Sequence, residues 1–408
     1  MKSARYTLGL LLTIYVVNHI DRQIMTILAE SVKTDLALSD TQLGLLMGGA
    51  FAIFYTLAGI PIARFADRSN RSNIISFALV VWSAMTIASG MAGNFIQLLA
   101  ARVGVGVGEA GCTPPAHSMI SDSFPAEKRA TALSTYQLGV PIGTLFGLTA
   151  GGYLAQELGW QTAFFIVGLP GLILAVVAKL TLHEPERGKF DPGADKSVEP
   201  LGQTLRFMAS LPSMRHCLIG AALQTLFLYG VGAFHASFLQ RVHEVSLPAT
   251  GVQLGLIAGI AGGVSVFFAG WLGDRMSSRD VRGYWWICAI GAVLSLPFSY
   301  VAYTTESANL AVAMIACATL LNHTYSGVTH AIMQSLVKPR MRATMSAIAL
   351  FVMNLVGGGL GPIAVGQLSD RFGLSAALTV LVVFVGWASI HYVLGARTYA
   401  QDLQAKNV

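Results

Sequence analysis

Long apolar runs recur along this chain, separated by short polar breaks. They fall at about 7–30, 41–64, 73–93, 95–122, 129–155 and 161–182. They resume at about 216–240, 249–272, 283–304, 308–336, 342–367 and 374–396. The hydrocarbon core of a bilayer is about 30 Å thick and takes about 20 helical residues to cross. The runs therefore predict an all-α membrane protein of twelve transmembrane helices. Composition agrees, since only 11% of the 408 residues are charged, against about 25% in a typical soluble domain. So little charge cannot cover a water-exposed surface. It excludes a soluble enzyme, a nucleic-acid-binding domain and a disordered scaffold.

The polar stretch 183–215, with "EPERGKFDPGADKSVEP", divides the runs into two sets of six. The expected organisation is an N-terminal bundle over 1–182, a cytoplasmic linker over 183–215, and a C-terminal bundle with its tail over 216–408. Within the linker, Leu201, Leu205, Met208 and Leu211 have helical spacing beside Arg206, which suits a helix lying on the membrane surface. With both termini in the cytoplasm, 21 of the 26 basic residues fall on the cytoplasmic side. Only Lys33, Arg241 and Arg371 fall on the other, as the positive-inside rule requires. The net charge of +6 is thus read as topology rather than as affinity for nucleic acid. Lys2 and Arg5 ahead of an apolar run imitate a signal peptide, but "NHIDRQIM" continues the helix, so an uncleaved first span is expected. Cys112, Cys217, Cys288 and Cys317 all lie in apolar stretches and read as buried thiols.

The halves repeat. Asp67-Arg68 in "ARFADRSNR" and Asp274-Arg275 in "GWLGDRMSSR" stand close to half the chain apart. His117 precedes Arg129-Ala130-Thr131 by the same interval at which His330 precedes Arg342-Ala343-Thr344. A duplicated six-helix bundle follows, with the substrate path expected between the halves near the bilayer midplane.

Four strong charges fall well inside the spans: Asp21 and Arg22 in the first, Arg102 and Glu109 in the fourth. A charge inside a membrane is costly unless it pairs or faces water. Arg102 and Glu109 are two turns apart on one helix face, and Asn18, Asp21, Arg22 and Met25 make a face of the first span. The four residues are read as an ion-pair network or as a proton and substrate relay, with Asp21 and Glu109 as proton carriers. Arg22 and Arg102 are the expected anion ligands, because a guanidinium grips phosphate or carboxylate with two hydrogen bonds. Asn18 and His19 beside them, and Asn322, His323 and Tyr325 in the tenth span, are further candidate cavity residues. Glycines recur every fourth residue at Gly139, Gly143, Gly147 and Gly151, and again at Gly255, Gly259 and Gly263. This spacing lets helices approach closely. Pro114, Pro115, Pro141, Pro170, Pro297 and Pro362 mark expected kinks. "GVGEAG" (106–111) matches the dinucleotide fingerprint but sits mid-span, so no nucleotide site is read there. The chain carries no Walker, H-E-x-x-H or G-x-S-x-G motif, and neither a cofactor nor enzymatic activity is expected.

The two loop sequences, the Arg102-x-x-x-Gly106-x-Gly108 pattern and the glycine ladder around Pro141 resemble signatures of the major facilitator superfamily. Within it, "NHIDR" (18–22), "GVGEAGCTPPAHSMISDSFP" (106–125) and "GVPIGTLFG" (139–147) are most similar to the spinster family. Ala63, Ser72 and His19 depart from the usual motifs. The resemblance implies a secondary active transporter in the inner (plasma) membrane that works as a monomer by alternating access. Its expected partners are protons, membrane lipids and an amphipathic anionic lipid such as a lysophospholipid or sphingoid phosphate. The organic-anion:cation symporter branch shares part of the helix-1 motif, which keeps small organic anions as an alternative cargo. An uncoupled lipid facilitator or scramblase is another alternative. The gates are expected at Asp67, Arg68 and Arg129 and at their repeat counterparts Asp274, Arg275 and Arg342.

Overall fold

The computed structural model describes residues 2–66, 68–187, 190 and 200–405. Asp67 and residues 188–189 and 191–199 of the polar stretch between the halves lie outside them. Among the described residues the regular structure is entirely helical. Nine helices among them are long and apolar enough to cross a membrane. They are α2 (Asp40–Ala66), α3 (Arg71–Ser89), α4 (Phe95–Ser123), α5 (Glu127–Thr181), α7 (Pro212–Arg241), α8 (Leu247–Ser277), α9 (Gly283–Thr304), α12 (Thr344–Phe372) and α13 (Leu374–Gln404). The others used below are α1 (Lys2–Ile27), the short α6 (Leu201–Ser210), α10 (Ala308–Asn322) and α11 (Tyr325–Leu336).

Physical causes account for the helices that fall outside the nine. α1 carries Asn18, His19, Asp21 and Arg22 in its apolar run, which lowers its apolarity. α10 and α11 lie in one predicted run, but a turn at 323–324 divides it into two shorter pieces. Conversely, α5 covers two predicted runs. Gly159 takes φ +81° at their junction, a left-handed conformation that only glycine adopts without steric cost. Gly373, at the matching place in the second half, does the same between α12 and α13. α4 is interrupted by a turn at 110–112, after which Pro114 and Pro115 occupy the first turn of the restarted helix. There the missing proline N–H leaves no bond unmade. Pro170 and Pro297 sit inside continuing helices. Wider π-helical turns occur at Leu45–Gly49, Ile257–Ala261 and Asn354–Leu360, and none of these contains a proline.

The chain forms two compact units, 1–194 with 239–259, and 195–238 with 260–408. The first is cored by Ile75, Leu79, Trp82, Val105, Met119 and Tyr136. The second is cored by Trp285, Met333, Met345 and Tyr392. In the first unit the glycine ladder meets α1. A Cβ on Gly139 would strike Tyr15, one on Gly143 would strike the Val16 carbonyl and His19, and one on Gly147 would strike Ile20 and Gln23. In the second unit, Gly357 and Gly361 meet Thr225, Leu226 and Gly230 on α7 in the same way. Gly357 and Gly361 follow Gly143 and Gly147 by the same offset that separates Gly373 from Gly159, so the close contact belongs to the repeat.

A side chain at Gly143 has nowhere to go. Gly143→Val is expected to cost about 1–3 kcal/mol by overpacking and to lower the unfolding temperature in detergent. Gly9→Ala on α1, where a Cβ meets nothing within 4 Å, is expected to leave it unchanged.

Candidate functional site

α1 and α4 cross so that their charges pair between helices rather than along one. Arg22 Nε donates to Glu109 Oε2 at 2.7 Å. Asp21 faces Arg102, with 3.7 Å between Oδ1 and Nη1. Adjacent residues on a helix point about 100° apart, so Asp21 and Arg22 necessarily address different partners. Exposure separates the two pairs. The side chains of Asp21 and Arg102 are each 2% exposed and Glu109 is 0% exposed, whereas Arg22 is 26% exposed. Arg22 is thus the charge that solvent and a solute can reach. Its guanidinium lies 4.8 Å from the Phe51 ring centroid and 5.0 Å from that of Tyr55, a cation–π arrangement that holds it without consuming its N–H donors.

The cluster is under-satisfied. Asp21 Oδ1 and Arg102 Nε and Nη1 have no hydrogen-bond partner among the described residues. Buried polar groups are nearly always paired, and a group of exceptions marks a candidate functional site. Thr86 on α3 donates its hydroxyl to Asp21 Oδ2. His19 donates from Nδ1 to the Tyr15 carbonyl at 3.2 Å and is 8% exposed. Tyr15 in turn stacks on Tyr136, with ring centroids 4.3 Å apart, and Tyr136 meets His117 edge-on at 5.4 Å.

In the second unit, Asn322 follows Glu109 by the same offset that relates His117 to His330 and Arg129 to Arg342. Asn322 is buried, and its Oδ1 accepts from Gln224 Nε2 at 2.9 Å and from the Ser295 hydroxyl at 3.0 Å. Tyr325 is joined to Thr225 at 2.9 Å. His323 donates from Nδ1 to the Thr319 carbonyl of its own helix at 3.0 Å. The second unit therefore links α7 to α10 and α11 with neutral groups, where the first links α1 to α4 with charges.

The residues expected at the gates are dispersed. Asp67 lies outside the described residues. Arg68 is exposed, Arg129 is half-buried, and Arg342 is exposed at the start of a helix. Among the described residues no ion pair joins Asp274 to Arg342. Asp274 instead accepts from the Tyr284 hydroxyl of the next helix at 2.5 Å. Arg275 lies 5.9 Å from the Trp271 ring centroid.

Two charge clusters escaped the sequence reading. Arg71, 2% exposed, donates to Glu184 at 2.6 Å, Asp122 at 2.5 Å, Ser118 at 2.7 Å and the Pro185 carbonyl at 3.1 Å. Arg241 donates to both Glu30 oxygens, at 3.1 and 2.6 Å, and to both Asp40 oxygens, at 2.7 and 2.8 Å. Lys33 joins Asp40 at 2.5 Å. Lys33 and Arg241 are two of the three basic residues that stood out as exceptions to the positive-inside pattern, and that exception was the available signal. Cys112, Cys217 and Cys288 are buried, as expected, and Cys317 is half-buried. Among the described residues no three His, Cys, Asp or Glu side chains are grouped to hold a metal ion.

With this geometry in place, the family can be stated. The chain belongs to the major facilitator superfamily, whose family model matches residues 11–362. It is a multi-pass membrane transporter of that class. It is 35% identical to an MFS-type efflux pump of Mycolicibacterium smegmatis over 97% of this chain and 93% of that protein. It is 24% identical to the hexuronate transporter of Bacillus subtilis over 93% of this chain and 92% of that one. Among solved structures it is similar to a bacterial homolog of the human lysosomal transporter Spinster in an inward-facing, unoccupied conformation. The TM-score is 0.90 at 32% identity, covering 98% of both chains. The spinster-like character expected from the motifs is thereby supported.

Removing Arg71 takes the buried guanidinium away from Asp122 and Glu184 and leaves Glu184 only the longer 3.8 Å contact with Arg187. Arg71→Ala is expected to destabilise the protein by about 3–5 kcal/mol, as for other broken buried pairs, read as a lower unfolding temperature in detergent. Arg71→Lys restores one charge but not the fork of donors, so it is expected to recover only part of the loss.

Proposed function

We propose that this protein is a proton-coupled secondary active transporter of amphipathic anions, with lysophospholipids or sphingoid phosphates as the cargo class. In this reading twelve spans form two six-helix bundles, 1–182 and 216–408, with both termini in the cytoplasm and the protein in the plasma (inner) membrane. A monomer works by alternating access, and the proton gradient drives it without a cofactor. The observation that carries the reading is Arg22: a partly exposed guanidinium whose Nε is held by a wholly buried carboxylate, Glu109.

The chemistry follows from competition. While Glu109 is ionised it occupies Arg22. Protonation removes that charge and frees the guanidinium for a phosphate or carboxylate on the cargo. An incoming anion likewise displaces Glu109 and favours its protonation. Proton and cargo thus bind with linked free energies. Arg102 and Asp21, buried together, act as the second proton-responsive pair and do not contact the cargo in this arrangement. Asn18 and His19, and separately Asn322, His323 and Tyr325, are the further polar residues this reading assigns to cargo binding. Asp67, Arg68, Arg129, Asp274, Arg275 and Arg342 act as cytoplasmic gate residues in states where they meet.

A second reading has its own support. The hexuronate relative carries a small carboxylate by name, and a guanidinium binds carboxylate as well as phosphate. Proteoliposomes with an imposed pH gradient, offered lysophosphatidic acid or sphingosine phosphate in one series and hexuronates in another, distinguish the two cargo classes.

Arg22→Ala is expected to lower uptake of the accepted cargo about 10- to 100-fold, the scale of one lost charge-assisted contact. Asp21→Asn and Glu109→Gln are expected to abolish gradient-driven accumulation while passive exchange persists. Wild-type accumulation in both variants would overturn proton coupling. Equilibration without accumulation in the unmodified protein would indicate an uncoupled facilitator.

A further inference from the structure

Thr86 lies on α3 at 0% exposure, outside the four charges of the site. Its hydroxyl oxygen is within donating distance of two acceptors, Asp21 Oδ2 and the carbonyl of Trp82 one turn earlier at 3.0 Å. A hydroxyl has one proton to donate and can also accept, so it serves one of these acceptors at a time. That choice matches the two states of a carboxyl group. When Asp21 is ionised, the Thr86 proton points to Asp21. When Asp21 Oδ2 takes up a proton, the new O–H donates to Thr86, and the Thr86 proton turns back to Trp82. Each state uses every donor of the pair, and the change is one proton gained and one O–H rotated.

We propose that Thr86 is a positioning residue for proton coupling, a hydroxyl rotor that lets Asp21 be held in the dry interior in either protonation state. The proposal rests on the proton-coupled reading above. Among the described residues no second hydroxyl is hydrogen-bonded to Asp21. The charged and titratable groups facing Asp21 are Arg102 and Glu109 from α4 and Arg22 from α1 itself. α5 meets this stretch of α1 with glycines. Arg102 Nη1 stands 3.7 Å from the other Asp21 oxygen, beyond hydrogen-bond length. The arginine therefore favours one charge state only, whereas Thr86 accommodates both. Among the described residues no hydroxyl holds Glu109, whose donors are Arg22 and Asn18.

The test follows Asp21 directly. In full-length protein in lipid nanodiscs, the infrared band of a protonated carboxyl is recorded between about pH 4 and 9 and assigned to Asp21 by its loss in Asp21→Asn. Thr86→Val keeps the shape and removes the hydroxyl; Thr86→Ser keeps the hydroxyl. A hydrogen bond to an ionised group is roughly twice as strong as a neutral one, so the ionised form loses more. The band's midpoint is expected to move to higher pH by about one unit in Thr86→Val and to stay near wild type in Thr86→Ser. The pH profile of gradient-driven uptake should move with it. An unchanged midpoint in Thr86→Val, or an equal shift in Thr86→Ser, would overturn the role of Thr86. A wild-type protein with no Asp21 band anywhere in this range would overturn proton coupling through Asp21 instead.

Discussion

The cost of a charge without water governs the first unit. Four ionisable residues sit where the chain is otherwise apolar, and three of them are almost wholly buried. Such groups are held by opposite charges or lost to neutralisation. The crossed pairs Arg22–Glu109 and Asp21–Arg102 meet that requirement, and they need α1 and α4 to face each other in a fixed register. The glycine ladder of α5 makes this register attainable, since α1 lies against α5 almost backbone to backbone. Packing and charge are consequently parts of one constraint.

The second unit shows what the same scaffold does without the constraint. Its helix contacts repeat those of the first at a constant offset, down to the positive-φ glycine. Where the first unit has Glu109 held by Arg22, the second has Asn322 held by Gln224. An amide link between α7 and α10 does not change with pH. The duplicated architecture therefore places a charged link between helices in one half and a neutral one at the matching place in the other.

The sequence made much of this legible, and the limits were physical. Run lengths and scarcity of charge were enough for a polytopic helical membrane protein. The four charges stood out because nothing else in the spans resembled them. The ladder at Gly139, Gly143, Gly147 and Gly151 pointed to close packing. Pairing was not legible, because it depends on how α1 and α4 are rotated about their axes. Arg102 and Glu109 share a helix face, yet each takes its partner from α1. Thr86 gave no signal, since a threonine in an apolar helix looks like any other. Gln224 and Ser295 were equally quiet in their runs. Pro114 and Pro115 hinted at the interruption of α4, while the matching turn after Asn322 contains no proline. The Arg71 cluster drew on Glu184, in the polar stretch read only as linker.

Asp21 and Arg22 are consecutive residues on one rigid helix, and this makes α1 a gear. A rotation of α1 that brings Asp21 nearer Arg102 must sweep Arg22 across Glu109 through the same angle. A turn of α1 as a rigid body therefore changes the 3.7 Å and 2.7 Å separations together. Any motion of α1 that carries the accessible guanidinium with it also carries a carboxylate that solvent does not reach. The two ion pairs are thus joined, without touching, through the angular stiffness of a single turn of helix.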